Sequence, residues 1–233
     1  MDIKLNQIIS TCRPLTAQGH TANYIPELAG KDPDRLGLYL LSPGHGDYFA
    51  GDCFEKFTMQ SVVKPMILLL ALMDSGTDAV RNLVGVEATG SKHRALAYML
   101  KAYGMIHDPV EDILGCYFKA CSILVTCRDL ARIGCVFACH GMDPETGRQL
   151  FPADYARYVN ATLVTCGMYD GSGEFALNVG FPAKSGVGGG ILGVIPKRMG
   201  IGVYSPALDR RGNSLAGVQA LALLSRELDL SIF

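Results

Sequence analysis

The sequence predicts an α+β fold, in which an antiparallel sheet drawn from both ends of the chain is flanked by helices. Three observations predict it. Short apolar runs bounded by turn residues occur near the start and recur in the C-terminal third. Between them, apolar residues repeat at three- and four-residue spacing. One more helical stretch closes the chain. Strands segregated from helices in this way point to α+β rather than to alternating βα units. With 233 residues, of which 49% are hydrophobic and 18% charged, the chain can bury a large core. It is expected to form one domain over 1–233, with a helical part at roughly 61–170, reduced in size, and a sheet part at 36–51 plus 175–233.

Residues 1–35 are polar and interrupted by Pro14, Pro26 and Pro33, with a short turn or helix expected at Tyr24–Leu28. Leu36–Leu41 reads as a strand, Pro43–Gly46 as a turn and Tyr48–Gly51 as the returning strand. A helix then starts at or just before Ser61. Pro65 is tolerated there because a first-turn proline loses no helical hydrogen bond. Helices are expected over Arg94–Tyr103, Val110–Ala120, Arg128–His140 and Ala153–Val164. Asp108-Pro109 and Asp143-Pro144 read as helix starts and Gly141 as a stop. Phe175–Val179, Gly190–Pro196 and Met199–Ser205 read as strands, and Ser214–Leu228 as a final helix capped by Asn213 or Ser214.

Composition excludes several functions. A net charge of −1 leaves no basic excess to neutralise nucleic-acid phosphates. The first residues lack the apolar region of a secretion signal, and the longest apolar run, Met66–Met73, is too short to span a bilayer, so a cytoplasmic location is expected. The eight cysteines form no C-x-x-C pair. Cys135, Cys139 and His140 come nearest to a metal-binding spacing, but at helical intervals the cysteines read as small buried residues. No metal and no cofactor are expected, and free thiols rather than disulfides.

The chemistry sits in Ser61-Val62-Val63-Lys64, an S-x-x-K motif just ahead of the apolar run. One helical turn apart, Ser61 and Lys64 share a face. A serine hydroxyl needs a base to become a nucleophile, and a lysine amine with a lowered pKa can serve. Taken alone, the four residues more readily describe a capping serine and a surface lysine. Three further signals change the balance. Lys184-Ser185-Gly186 supplies a second cation and a hydroxyl beside a glycine-rich stretch that lets a substrate approach closely. Tyr117 lies near a candidate base and can shuttle protons, though tyrosines at helical spacing are often core residues. Gly167–Gly173 is a loop of turn residues carrying Tyr169. S-x-x-K followed by K-[ST]-G is the order found in serine β-lactamases and penicillin-binding proteins. No S-D-N lies between them here, and Tyr117 is placed to fill that role.

These stretches, together with YIPEL at 24–28, YFKACSILVTCRD at 117–129, PAKSGVGGG at 182–190 and SPALDRRGNS at 205–214, resemble the bacterial and mitochondrial glutaminases. The resemblance covers nearly the whole chain. It implies a serine β-lactamase-like fold and hydrolysis of L-glutamine to L-glutamate and ammonia through a serine acyl-enzyme. It implies Ser61 as nucleophile, Lys64 as base and Tyr117 as proton-transfer partner. Main-chain N–H groups of Ser61 and Val187 would form the oxyanion hole. Tyr24, Gln60, Tyr169 and Lys184 would line the substrate site, with His93 standing where the family has an asparagine. A homo-oligomer, dimer or tetramer, is implied as well.

The chain also departs from the family pattern. Several dozen residues are missing between Val84–Gly90 and Ser91–Ala97. The family's N-A-G segment has no counterpart, and Val86 occupies the spacing of a family glutamate. Both normally bind the amino-acid end of glutamine, and an ammonium and carboxylate left unpaired in a pocket cost several kcal/mol together. The expectation is therefore weak glutaminase activity or none. Two alternatives remain: a serine amidase or peptidase of different specificity on the same scaffold, and a non-catalytic homologue.

Overall fold

A computed structural model describes residues 2–84 and 93–233, with side chains from 4 to 80 and from 97 onward. The break expected between Gly90 and Ser91, and Val86 before it, lie outside the described residues.

Five strands form an antiparallel sheet in the order β2-β1-β7-β6-β5. They are β1 (Gly37–Ser42), β2 (Gly46–Gly51), β5 (Ala183–Ser185), β6 (Gly190–Ile195) and β7 (Met199–Tyr204). The sheet thus joins both parts of the chain, through the β1–β7 register Leu38↔Val203 and Leu40↔Ile201. Side chains alternate across a strand. Leu38, Leu40, Ile191, Ile201 and Val203 enter one core, under α1 (Asp2–Cys12) and α9 (Leu215–Leu228). Tyr39, Leu41, Leu192, Val194 and Tyr204 enter the other. That second core is covered by α3 (Lys64–Val84), α5 (Val110–Cys121), α6 (Cys127–Ala138) and α7 (Ala153–Cys166). Strands β1, β6 and β7 are buried on both faces, which explains why they read as nearly continuous apolar runs, whereas the edge strand β2 is mostly exposed. Helix α6 lies against the sheet where Gly193, Gly200 and Gly202 face Gly134, Ala131 and Cys127. A Cβ on Gly200 or Gly202 would strike the α6 backbone. Cys135 is buried in that contact, as a packing residue, and burial raises its thiol pKa to about 12.

The α+β expectation and most element positions hold, including α4 (His93–Ala102) and α2 (Pro26–Ala29). Four points differ. Residues 2–12, read as polar and irregular, form α1, because Leu5, Ile8, Ile9 and Cys12 share one helical face against the sheet. Phe175–Val179, read as a strand, lies in and just after α8 (Ser172–Asn178). Phe175 and Val179 are buried four residues apart while Leu177 between them is exposed, a helical rather than a two-residue period. Asp143-Pro144 opens a turn closed by Gly147 N–H to Asp143 O, with no helix after it. The apolar run at 66–73 is only half buried: Leu72 is enclosed, whereas Ile67, Leu70 and Met73 are exposed.

Candidate active site

Ser61 is set by local strain and by a small ribbon. It stands in a 3₁₀ turn, Gln60–Val63, which runs directly into α3. The first N–H groups of such a turn have no partner within it. Gln60 adopts φ 50°, a left-handed conformation uncommon for a residue with a side chain, and its Nε2 donates to Thr58 Oγ1 at 3.1 Å. Just ahead, β3 (Phe57–Thr58) pairs with β4 (Leu124–Val125), and Met59 N–H donates to Ile123 O. The pairing draws the end of α5 against the Ser61 turn. This brings the Tyr117 hydroxyl into hydrogen-bonding contact with Ser61 and Cys121.

Lys64 follows one turn later, largely enclosed, and burial lowers its pKa. Lys184, on β5, is 5% exposed. Its Nζ donates to Gly167 O at 2.9 Å and to Ser185 O at 2.6 Å and lies 4.6 Å from the centre of the Tyr169 ring. Burial, and then the charge on Lys64, pull Lys184 down to about 7. Tyr169 also has a left-handed backbone, φ 52°. Burial raises its pKa while nearby Ser61 lowers it, and its hydroxyl completes no hydrogen bond. The turn Gly186–Gly189 brings the Val187 main chain alongside. Gly186 packs so tightly on Met59 and Val62, and Gly188 on Thr58, that a Cβ on either would lie 2.8 Å from a backbone oxygen.

A cavity of about 870 Å³ opens over these groups. Of the site residues expected from sequence, Tyr24, Gln60, Ser61, Lys64, Tyr117, Tyr169, Lys184 and Val187 all line it. Tyr24 is at the mouth, 69% exposed. His93 begins α4, but its side chain lies outside the described residues. The cavity also exposes residues that sequence reasoning passed over: Cys121, one turn beyond Tyr117; Asp170, beside Tyr169; and Arg210, in the 205–214 stretch. Each adjoins a motif already singled out, and only the fold aims it at the site. Among the described residues, no group of three His, Cys, Asp or Glu side chains is arranged to hold a metal, and no helix is long and apolar enough to cross a membrane.

The sequence profile of the Glutaminase family matches residues 19–93 and 88–233. The chain belongs to the glutaminase family. The two matched pieces meet at 88–93, where the shortening was expected. A glutaminase of Clostridium tetani is 39% identical over 305 aligned positions, covering 100% of both chains. The alignment is thus far longer than the 233 residues present here. Among solved structures, the Bacillus subtilis glutaminase YbgJ matches with a TM-score of 0.95 at 33% identity, covering 100% of this chain and 99% of that one. It is a covalent complex with 5-oxo-L-norleucine, formed by reaction with 6-diazo-5-oxo-L-norleucine. The glutamate form of Mglu matches with a TM-score of 0.94 at 32% identity, covering 100% of this chain and 69% of that one. The architecture is that of these glutaminases, an antiparallel sheet between helices, in keeping with the serine β-lactamase-like fold.

Proposed function

We propose that this chain hydrolyses L-glutamine with Ser61 as nucleophile. The observation that carries the reading is the convergence on one cavity floor of Ser61, the Tyr117 hydroxyl bonded to it, and the enclosed Lys64. Two lysines so near each other hold one proton more readily than two. Lys184 is tied to two carbonyl oxygens and the Tyr169 ring, so Lys64, one turn from Ser61, is the amine placed to take the serine proton. Ser61 Oγ attacks the side-chain amide carbon while its proton passes to Lys64, with Tyr117 assisting. The amide oxygen becomes an oxyanion held by the N–H groups of Ser61 and Val187. The C–N bond breaks as the proton moves to the departing nitrogen, and ammonia leaves a glutamyl ester on Ser61. Water attacks that ester, giving its proton to the same base, and L-glutamate leaves as Ser61 regains its hydrogen.

Ammonia release from L-glutamine tests this directly. Turnover lost in Ser61→Ala, with 6-diazo-5-oxo-L-norleucine losing N2 and adding the remaining 5-oxo-L-norleucine mass to the Ser61 peptide of the native chain, is the expected result. No turnover by the native chain, or full turnover by Ser61→Ala, refutes it. The missing segment predicts a KM above that of the longer relatives. One observation favours a second reading, an amidase of larger amides at the same serine: about 870 Å³ is the size of a site for drug-sized ligands, whereas glutamine is far smaller. Fluorophosphonate labelling of Ser61 without glutamine turnover would select it. The reading also includes a homo-oligomer, supported by the exposed apolar side chains Leu70, Met73, Tyr98 and Phe118 and tested by sedimentation, and a cytoplasmic location, tested by fractionation.

A further inference from the structure

Two loops form the wall of the cavity beside Tyr169, and the bonds between them leave two charges unused. The first is the turn Tyr169–Gly171 and the second spans 209–213. Asn213 Nδ2 donates to Met168 O at 3.1 Å, and Arg211 Nη1 lies 2.5 Å from Glu174 Oε2 at the start of α8. Gly171 leaves room for both ties: a Cβ there would lie 3.3 Å from Arg211 Nη1 and from Asn213 Nδ2. Asp209 is spent inside its own loop, its Oδ1 accepting the N–H groups of Arg211 and Asn213, each at 2.9 Å. Gly212, at φ 91°, tucks the loop over Val187 and the Tyr169 ring. The loops are therefore fixed to each other and to the oxyanion turn.

Lys184 is committed to two carbonyls, Arg211 to Glu174 and Asp209 to backbone amides. The remaining full charges on this wall are Asp170 and Arg210. Both line the cavity and are exposed. Neither has a hydrogen bond or ion pair among the described residues, although Asp170 lies close enough to Arg211 to act on it electrostatically. Opposite charges on two rigid loops beside Ser61 match an α-amino acid zwitterion whose side chain reaches the serine. We infer that Asp170 binds the α-ammonium and Arg210 the α-carboxylate of the substrate, as specificity-determining residues of this shortened site.

The inference rests on the glutaminase reading, and its test separates the two. Asp170→Asn and Arg210→Gln should each raise KM for L-glutamine three- to tenfold, with kcat within about twofold, because hydrogen-bonded charge contacts at a wet rim are worth that much. Arg210→Lys should recover part of the loss. Glutaramide, which has the amide and chain but neither α-charge, should show unchanged kcat/KM in every variant, a result that general damage to the fold would not give. Unchanged KM for L-glutamine in both variants, or an equal loss with glutaramide, overturns the assignment while leaving the glutaminase reading intact. If the native chain releases no ammonia, that reading fails instead. Calorimetric binding of L-glutamate then decides: three- to tenfold weaker binding in both variants upholds the clamp, and unchanged or absent binding overturns it.

Discussion

Replacing Gly186 by alanine tests whether the turn at 186–189 holds the oxyanion, without touching any reacting group. Gly186 has no positive φ, so alanine is conformationally allowed there and the effect is steric. The new Cβ would lie 2.8 Å from Met59 O and 3.0 Å from a Val62 methyl, where ordinary contact begins at 3.4 Å. The turn or the Ser61 segment must therefore retreat by about half an ångström or more, since a backbone oxygen has no free end to swing aside. A shift of that size takes an N–H···O contact from about 2.9 Å to the edge of a hydrogen bond. Complete loss of one oxyanion donor costs roughly 10²–10³ in kcat. A partial loss of about 10- to 100-fold in kcat is expected, with KM little changed and about 1–3 kcal/mol less stability from overpacking. The assay is steady-state ammonia release beside a urea melt. Gly173→Ala, where the added methyl meets nothing within 4 Å, serves as the comparison and should retain native kcat. A Gly186→Ala enzyme with kcat within twofold of native would show that the turn does not hold the oxyanion.

Tyr117→Phe removes the hydroxyl bonded to Ser61 and should lower kcat about 10²-fold with little change in KM, measured by the same assay. Lys184 should leave a mark on stability as a function of pH. Its folded pKa, about 7, lies below the ordinary lysine value of 10.5, so the unfolded chain binds the extra proton between those limits and stability should rise with pH across that window. Urea midpoints at pH 6.5 and 9.5 should show the rise in the native chain and not in Lys184→Met. Asp52 accepts from Leu36 N–H at 3.0 Å, from Arg13 at 2.9 Å and from Arg35 at 3.1 Å. Burial alone would raise its pKa, but these bonds together outweigh it and lower it. Asp52→Asn should cost about 2–3 kcal/mol near neutral pH in a urea melt. The native advantage should fade as pH falls below 3.8 through the lowered pKa of Asp52.

The turn that carries Ser61 and Lys64 was legible because their spacing is local. Ser61 and Lys64 are one turn apart whatever surrounds them, and Tyr117, Tyr169 and Lys184 lie in stretches whose residue types are already unusual. The strands β1, β6 and β7 were legible because both their faces are buried and turn residues bound each run, and the mostly exposed β2 because a turn of Pro and Gly returns it alongside β1. Helices α1 and α8 were misjudged for a related reason. In a short segment a few apolar residues fit either period, and the neighbour they pack against decides which. For α1 those neighbours are strand β2 and helix α9 at the far end of the chain, and for Phe175 it is Phe181, whose ring stands edge-on 5.8 Å away.

Sequence alone determined the family and the α+β class, and it named Ser61 and Lys64 as candidate nucleophile and base, since these depend on residue type and short spacing. Only the tertiary structure decided how the groups act on one another. Pairing of β3 with β4 presses Tyr117 onto Ser61, and burial beside Lys64 pulls Lys184 down to about 7. The bonds between the 169–171 and 209–213 loops set Asp170 and Arg210 apart from charges already neutralised. Proximity, burial and the consumption of hydrogen-bonding partners are properties of the folded neighbourhood. A linear pattern names the groups, and the packing around them fixes their charge, reach and availability.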